Sequence, residues 1–253
     1  MVKSIYIIVL VFSIFEVHGQ FFDRYDGGIV VRDNIVIPND IISTKLFDFT
    51  DQLAIVRDTI TKKYGFINIY GDLVIPCMYE HVQDFNIGLG AVKDPETKKW
   101  GFINVKNEVV IPFVYDWVSR FCYDKYDHPG LKGLAYVNIG ILSENIGGML
   151  PDGKWGLINT DGKVVLPVKY CDISSVFENM AYFVDGDRYD FPHPAGGISW
   201  EVRGKIGFIN HEGIIVIPPE YDYDPMAHFE CGVVTLTKNG IEYKFNTKGE
   251  LVE

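Results

Sequence analysis

The acids, histidines, cysteines and aromatics of this 253-residue chain are plentiful, but their spacing spells no catalytic signature. Asp185, Asp187 and Asp190 would offer calcium-type oxygens, yet an EF-hand loop needs further ligands and a bidentate Glu that this stretch lacks. They read as solvated loop acids. Of six histidines, His128 and His193 stand beside prolines in inserted segments, and none forms a metal-ligand pair at short spacing, so no zinc site is expected. There is neither a G-x-S-x-G elbow nor a Walker-type glycine loop. With 34 Asp and Glu, a carboxylate pair for glycoside hydrolysis has many candidates and no distinguishing mark. What remains is an aromatic group, Tyr189, Phe191, His193 and Trp200, set among glycines and prolines. That mix suits an adaptable contact surface. The alternative is that the rings pack back onto the body and staple a long loop.

The elements that must position these residues form a repeat. Tyr64-Gly65-Phe66-Ile67-Asn68, Trp100-Gly101-Phe102-Ile103-Asn104, Trp155-Gly156-Leu157-Ile158-Asn159 and Ile206-Gly207-Phe208-Ile209-Asn210 share one frame. Each glycine stands eleven residues before a proline, namely Pro76, Pro112, Pro167 and Pro218, and a tyrosine follows three later at Tyr79, Tyr115, Tyr170 and Tyr221. A worn first copy places Gly27 eleven before Pro38, and a partial last copy runs from Phe245 to Val252. Tyr115-Asp116 and Tyr221-Asp222 look catalytic singly, but they recur at one repeat position, which argues for scaffolding.

Each unit reads as antiparallel β-structure. Alternation puts Trp100, Phe102 and Asn104 on one face and Gly101 and Ile103 on the other, which is strand periodicity. In Asn159-Thr160-Asp161-Gly162 and Asn210-His211-Glu212-Gly213, Asn can bond the backbone two residues on and Gly supplies positive φ. The aliphatic strand then meets a proline, which marks a strand end or an edge. A third strand is expected at Leu89–Lys93, Leu134–Asn138, Met180–Asp185 and Val233–Thr237, preceded by a short stretch ending in Phe85, Phe121, Phe177 or Phe229, a candidate fourth strand.

These copies resemble the tryptophan-glycine (WG) repeat family, most closely at Lys99-Trp100-Gly101-Phe102-Ile103-Asn104 and Lys154-Trp155-Gly156-Leu157-Ile158-Asn159. Tyr64 and Ile206 depart at the tryptophan and Asn107 at the turn glycine. The resemblance spans about residues 25 to 252. It implies a repetitive all-β domain, often in exported bacterial proteins, with no common catalytic activity. Four short strands per unit would stack as a propeller-like ring of about five to six units. An open β-solenoid with worn end copies as caps is the alternative.

Lys3, the apolar run Ser4 to Phe15 and the exit Val17-His18-Gly19 read as a secretory signal peptide over residues 1–19. The run is too short to cross a bilayer as a helix, so no membrane span is expected in the mature chain, residues 20–253. The formal net charge is −11 and stays so without residues 1–19, which carry Lys3 and Glu16. That charge opposes binding to phosphate backbones, so nucleic acid is excluded as a partner. The 25 glycines and 14% aromatics are what many turns between aromatic-rich strands require. Cys77, Cys122, Cys171 and Cys231 have no C-x-x-C spacing. Disulfides and buried free thiols both remain open.

Insertions fall at Ile139–Lys154, at Gly186–Lys205 and, on the opposite face, at Cys122–Lys132. Equivalent loops of neighbouring units emerge together, so the first two should be adjacent. The function expected is an exported binding module for a protein or a surface glycan, without cofactor. The alternative is a hydrolase using loop carboxylates.

Overall fold

Tyr64-Gly65, Trp100-Gly101, Trp155-Gly156 and Ile206-Gly207 each begin or lie within a strand that pairs antiparallel with strands on both sides. The computed structural model describes residues 49–121, 131, 133–140, 153–174, 176–192 and 198–252, together with four strands before residue 49. The expected leader at 1–19, His128, His193 and most of the Cys122–Lys132 and Ile139–Lys154 insertions lie outside the described residues. The chain divides into two compact units, Met1–Asp84 and Phe85–Glu253.

The first unit holds β1 (Phe22–Tyr25), β2 (Gly28–Val31), β3 (Ile35–Ile37), β4 (Ile41–Ser43), β5 (Leu53–Asp58), β6 (Tyr64–Asn68), β7 (Leu73–Tyr79) and β8 (His81–Val82). Two sheets result, β1-β2-β3 and β4-β5-β6-β7. The worn first copy thus keeps the hairpin of its better-preserved successors.

The second unit begins with β9 (Leu89–Lys93), β10 (Trp100–Asn104) and β11 (Val109–Tyr115), paired in the order β11-β10-β9. Next come β12 (Trp117–Val118), β13 (Leu134–Ile139), β14 (Lys154–Asn159) and β15 (Val164–Tyr170), then β16 (Asp172–Ile173), β17 (Met180–Pro192), β18 (Ile198–Asn210) and β19 (Ile215–Asp222). Each set of four is one sheet in chain order, and β20 (Val233–Lys238) pairs with β21 (Ile241–Asn246) in the last. Every four-stranded sheet of this unit straddles two sequence copies: the short and third strands of one, then the WG and proline strands of the next. No helix occurs among the described residues. The fold is all-β and repetitive, and both ring closure and open stacking accommodate these sheets.

Alternation explains how successive sheets of the second unit hold together. Phe102 packs forward with Val118, Phe121, Val137 and Ile158. Leu157, next to Ile158 and pointing the other way, packs with Phe183 and Ile209 of the following sheet. Phe208 continues the pattern against Val234, Leu236 and Phe245. One WG strand therefore feeds two cores, which is why both of its faces are apolar.

The eleven-residue spacing has a geometric cause. Trp155 pairs with Tyr170 and Leu157 with Leu166, so a bulge containing Pro167 faces the single residue Gly156. A Cβ there would lie 2.6 Å from the Leu166 carbonyl oxygen. Proline does not end the strand: β15 runs through it to Tyr170, and the edge reading is the correct one, because an outer strand with a bulge tolerates the missing N–H. At the hairpin, Asn159 Oδ1 accepts from the Asp161 and Lys163 amides at 3.1 and 2.8 Å. Asn107 replaces the turn glycine at φ 65°, a conformation Asn tolerates.

The short stretches before β13 and β17 contain the two-residue strands β12 and β16, which pair with them, whereas the stretch before β20 contains none. Phe85, Phe121 and Phe229 close their stretches from inside, all buried. Phe177 does not share that role. The bridges Asn86↔Leu89, Phe177↔Met180 and Glu230↔Val233 make Val176, 4% exposed, the counterpart of Phe85 and Phe229, whereas Phe177 is 56% exposed.

Candidate functional site

The tyrosine-acid pairs are structural ties. Lys99 Nζ bonds Asp116 Oδ1 at 2.5 Å, and Lys205 bonds Asp222 in the same way. The Lys before the Trp-Gly or Ile-Gly pair thus meets the acid after the tyrosine. In the intervening copy that acid is replaced by Cys171, and Lys154 instead donates to the Gly186 carbonyl at 2.8 Å and Asp187 Oδ1 at 2.9 Å. The end of one insertion, Lys154, is thereby fastened to the base of the next.

That second insertion is not a loop. Gly186 to Lys205 belongs to a β-ribbon in which β17 and β18 pair without a break from Met180↔Asn210 to Pro192↔Ile198. The alternation of sequence around Asp187, Tyr189 and Phe191, unremarked among its glycines and prolines, was the available signal. Asp187 pairs with Arg203, Tyr189 with Glu201 and Phe191 with Ser199, while Trp200 pairs with Asp190 at the intervening position. Strand alternation therefore puts the positions of Tyr189 and Phe191 on one face and that of Trp200 on the other. Tyr189 is 48% exposed, and the Arg203 guanidinium lies 5.0 Å from its ring centroid. Arg203 is itself bonded to Glu201 at 2.9 Å. His193 lies outside the described residues. Asp185 and Asp187 are held by Lys169 and Lys154, and among the described residues no three His, Cys, Asp or Glu converge on a metal position.

Beneath the ribbon sits a polar group that the sequence did not single out. The Tyr182 hydroxyl donates to Asp172 Oδ2 at 3.1 Å, with Tyr223 packed edge-on at 6.0 Å. Burial raises Asp172 above the ordinary carboxylate range, against the hydrogen bonds from Tyr182 and the Ile173 amide and the charge of Arg188. Burial also raises both tyrosines and pushes the Cys171 thiol up to about 11, which makes it a poor nucleophile. Among the described residues no cysteine is joined to another, and Cys171 is buried, Cys77 half-buried and Cys231 exposed; Cys122 lies outside the described residues.

An acid whose folded pKa is raised adds stability below its unfolded pKa and loses that contribution as pH rises through the folded value. Asp172→Asn keeps an oxygen for the Tyr182 hydroxyl and removes the buried charge. Its unfolding free energy relative to the native chain is expected to rise between pH 3 and pH 7. Urea titrations at the two pH values check this, and an unchanging difference would count against it.

A cleft of about 330 Å³ opens between this sheet and the segment before β20, lined chiefly by Phe177, Met180, Tyr182, Phe208, Met226 and His228. Two departures from the repeat create it: Val176 stands where other copies have Phe, and Tyr221 precedes Phe229 by eight residues where Tyr79 precedes Phe85 by six. Spotting that pair of departures would have revealed it.

The family model for the WG containing repeat matches residues 64–94, 100–126, 155–189 and 206–240. Residues 190–205 of the ribbon fall between two matched stretches, as an insertion into the repeat should. No curated protein matches the chain. Four matched stretches, each containing one glycine-facing-proline hairpin, establish that the chain belongs to the WG containing repeat family.

Proposed function

We propose that the chain is an exported interaction module that binds a protein or a surface glycan through the β17–β18 ribbon, and that it acts by binding rather than turnover. The observation that carries this is the ribbon's reach. β16 pairs with β17 only through Val184, and β19 with β18 only from Lys205 onward, so the pairs from Gly186↔Gly204 to Pro192↔Ile198 extend past their sheet. Among the described residues no strand pairs with the outer part of this ribbon, which offers its edge N–H and C=O groups to an added strand, and the half-exposed Tyr189 beside Arg203 is the kind of side chain that anchors interfaces. The free-standing end lies outside the repeat, where binding residues sit on a rigid scaffold.

Deletion of Gly186 to Arg203 is expected to abolish capture of the partner, identified by crosslinking or on a glycan array, while circular dichroism and the unfolding midpoint stay near those of the full chain. Unaltered binding by the folded deletion would sink the ribbon reading. Turnover of a glycoside or ester substrate, lost on a single Asp or Glu substitution, would replace the module with a hydrolase. Export is checked by N-terminal sequencing of the protein recovered outside the cytoplasm, with Gln20 expected first; retention of Met1 would overturn it.

A further inference from the structure

The projecting ribbon has two edges, and only one of them is guarded. Tyr182 and Val184 turn their carbonyls away from β18, accepting from the Ser174 and Cys171 amides. β17 and β18 then pair without a register shift to the end of the ribbon, so the outward positions of β17 above Val184 are Gly186, Arg188, Asp190 and Pro192. The lowest of these carbonyls, that of Gly186, takes the Lys154 ammonium at 2.8 Å, and Pro192 at the top has no N–H to give. Along β18 the same alternation points Ile198, Trp200, Val202 and Gly204 outward, and the Gly204 carbonyl accordingly accepts from the Tyr223 amide at 3.3 Å. β19 follows this edge no further than the Lys205↔Asp222 pair. From Ile198 to Val202 the edge carries neither proline nor lysine, the residues that blunt an exposed strand.

That unguarded stretch is self-complementary. Let β18 of a second copy lie antiparallel beside it. The register that uses every outward group short of Gly204, whose carbonyl is already taken, sets Trp200 opposite Trp200 of the second copy, with Ile198 opposite Val202 on either side. At the intervening positions Ser199 meets Glu201, so no acid directly faces an acid. Sliding the copies until Glu201 opposes Glu201 creates a like-charge pair and spends an end pairing on Gly204. Within its own copy Glu201 is neutralised by Arg203 at 2.9 Å. The positions of Ile198, Trp200 and Val202 share one ribbon face, so the cross-strand neighbours on that face are all apolar residue types, the pairs that sheets favour. Val202 is buried against Cys171 and Val184, which holds the foot of this edge to its sheet.

We propose that two copies of this chain join ribbon to ribbon, β18 against β18, over Ile198 to Val202. The inference rests on the ribbon reading above and names a second copy as the strand that is added. A two-fold axis perpendicular to the joined ribbons keeps like faces on the same side. The pairing therefore builds one continuous sheet, β17-β18-β18-β17, which carries Tyr189 and Arg203 of both copies on one side. Such a doubled face gains avidity for any ligand that repeats its epitope.

Sedimentation and NMR-detected hydrogen exchange of the full chain, at about 5 to 500 μM, test this, because an interface of this size is weak and dissociates within that range. The sedimenting mass is expected to double as concentration rises. Exchange at the Ile198, Trp200 and Val202 amides is expected to slow about tenfold or more, while Ser199 and Glu201, already bonded to β17, change far less. General stiffening of the ribbon would not produce that alternation. Trp200→Pro removes an outward N–H without touching the β17 ladder and is expected to weaken the dimer about tenfold or more; Trp200→Ala keeps that N–H and is expected to weaken it less. Asp190→Pro, directly across the ribbon from Trp200, alters the other edge and is expected to leave the dimer unchanged. A chain still monomeric at about 500 μM, a dimer that survives Trp200→Pro, or one lost equally with Asp190→Pro would overturn the pairing. The exchange pattern needs no substitution, so it decides the matter should Trp200→Pro fail to fold. A monomer whose capture of another partner is lost on deleting Gly186 to Arg203 overturns this pairing alone. A dimer that meets these expectations, beside capture that survives the deletion, supports the pairing and defeats the ribbon as the site for other partners.

Discussion

Replacing Phe102 with alanine is expected to lower the unfolding free energy by about 3–5 kcal/mol, the range found when a fully buried phenylalanine is truncated and its surroundings collapse only in part. Phe102 is 0% exposed. Its ring centroid lies 4.7 Å from that of Phe121, and its other neighbours, among them Ile111, Ala135, Val137 and Ile158, come from its own sheet and from the one that follows. None of these can follow the vacated ring without unseating its own strand, so the cavity persists. The loss removes the cement between two sheets, so hydrogen exchange should quicken in β10 and β13 before it does in β20 and β21, whose core lies two interfaces away. An unfolding free energy within about 0.5 kcal/mol of the native value would show that the sheets do not rely on this ring.

Gly156→Ala reverses a familiar sign. A glycine replaced by alanine in compatible extended backbone commonly stabilises, by about 0.4–1 kcal/mol, because the unfolded chain loses freedom. Here the added methyl would lie 2.6 Å from the Leu166 carbonyl oxygen, 2.8 Å from Val168 Cγ2 and 2.9 Å from Val168 Cα. Two of those three atoms are backbone of the bulged strand and cannot rotate away. The expected cost is about 1–3 kcal/mol, that of overpacking a tight interior, read as a lower urea midpoint at unchanged slope. Gly65, Gly101 and Gly207 face the same obstruction from the Ile75, Ile111 and Ile217 carbonyls. A neutral or stabilising result at Gly156 would mean that the bulge is soft, and the invariant spacing would then need another cause.

Sequence reading went furthest where the physics is local and repeated. The Asn–x–x–Gly turn announces its hydrogen bonds because donor and acceptor are two to four residues apart, and the structure has those bonds at Asn159 and Asn210. Third strands and a short strand before them were legible from alternation. The Phe177 assignment failed because residue type was matched in place of frame: only the bridge to Met180 fixes which residue turns inward. The Gly186–Lys205 segment was read as a loop because glycine and proline outweighed the alternation of a ribbon, which is supported by cross-strand pairs that composition does not register.

Sequence by itself determined the repeat, its β character and its family, because each follows from spacing within about a dozen residues. Only the tertiary structure decided that a glycine faces a proline bulge, that Lys154 abandons its missing acid for the ribbon base, and that two misfits in the repeat open an aromatic cleft. Those outcomes join residues from different strands and copies. A linear pattern fixes which face a side chain takes, but not which distant neighbour it meets there.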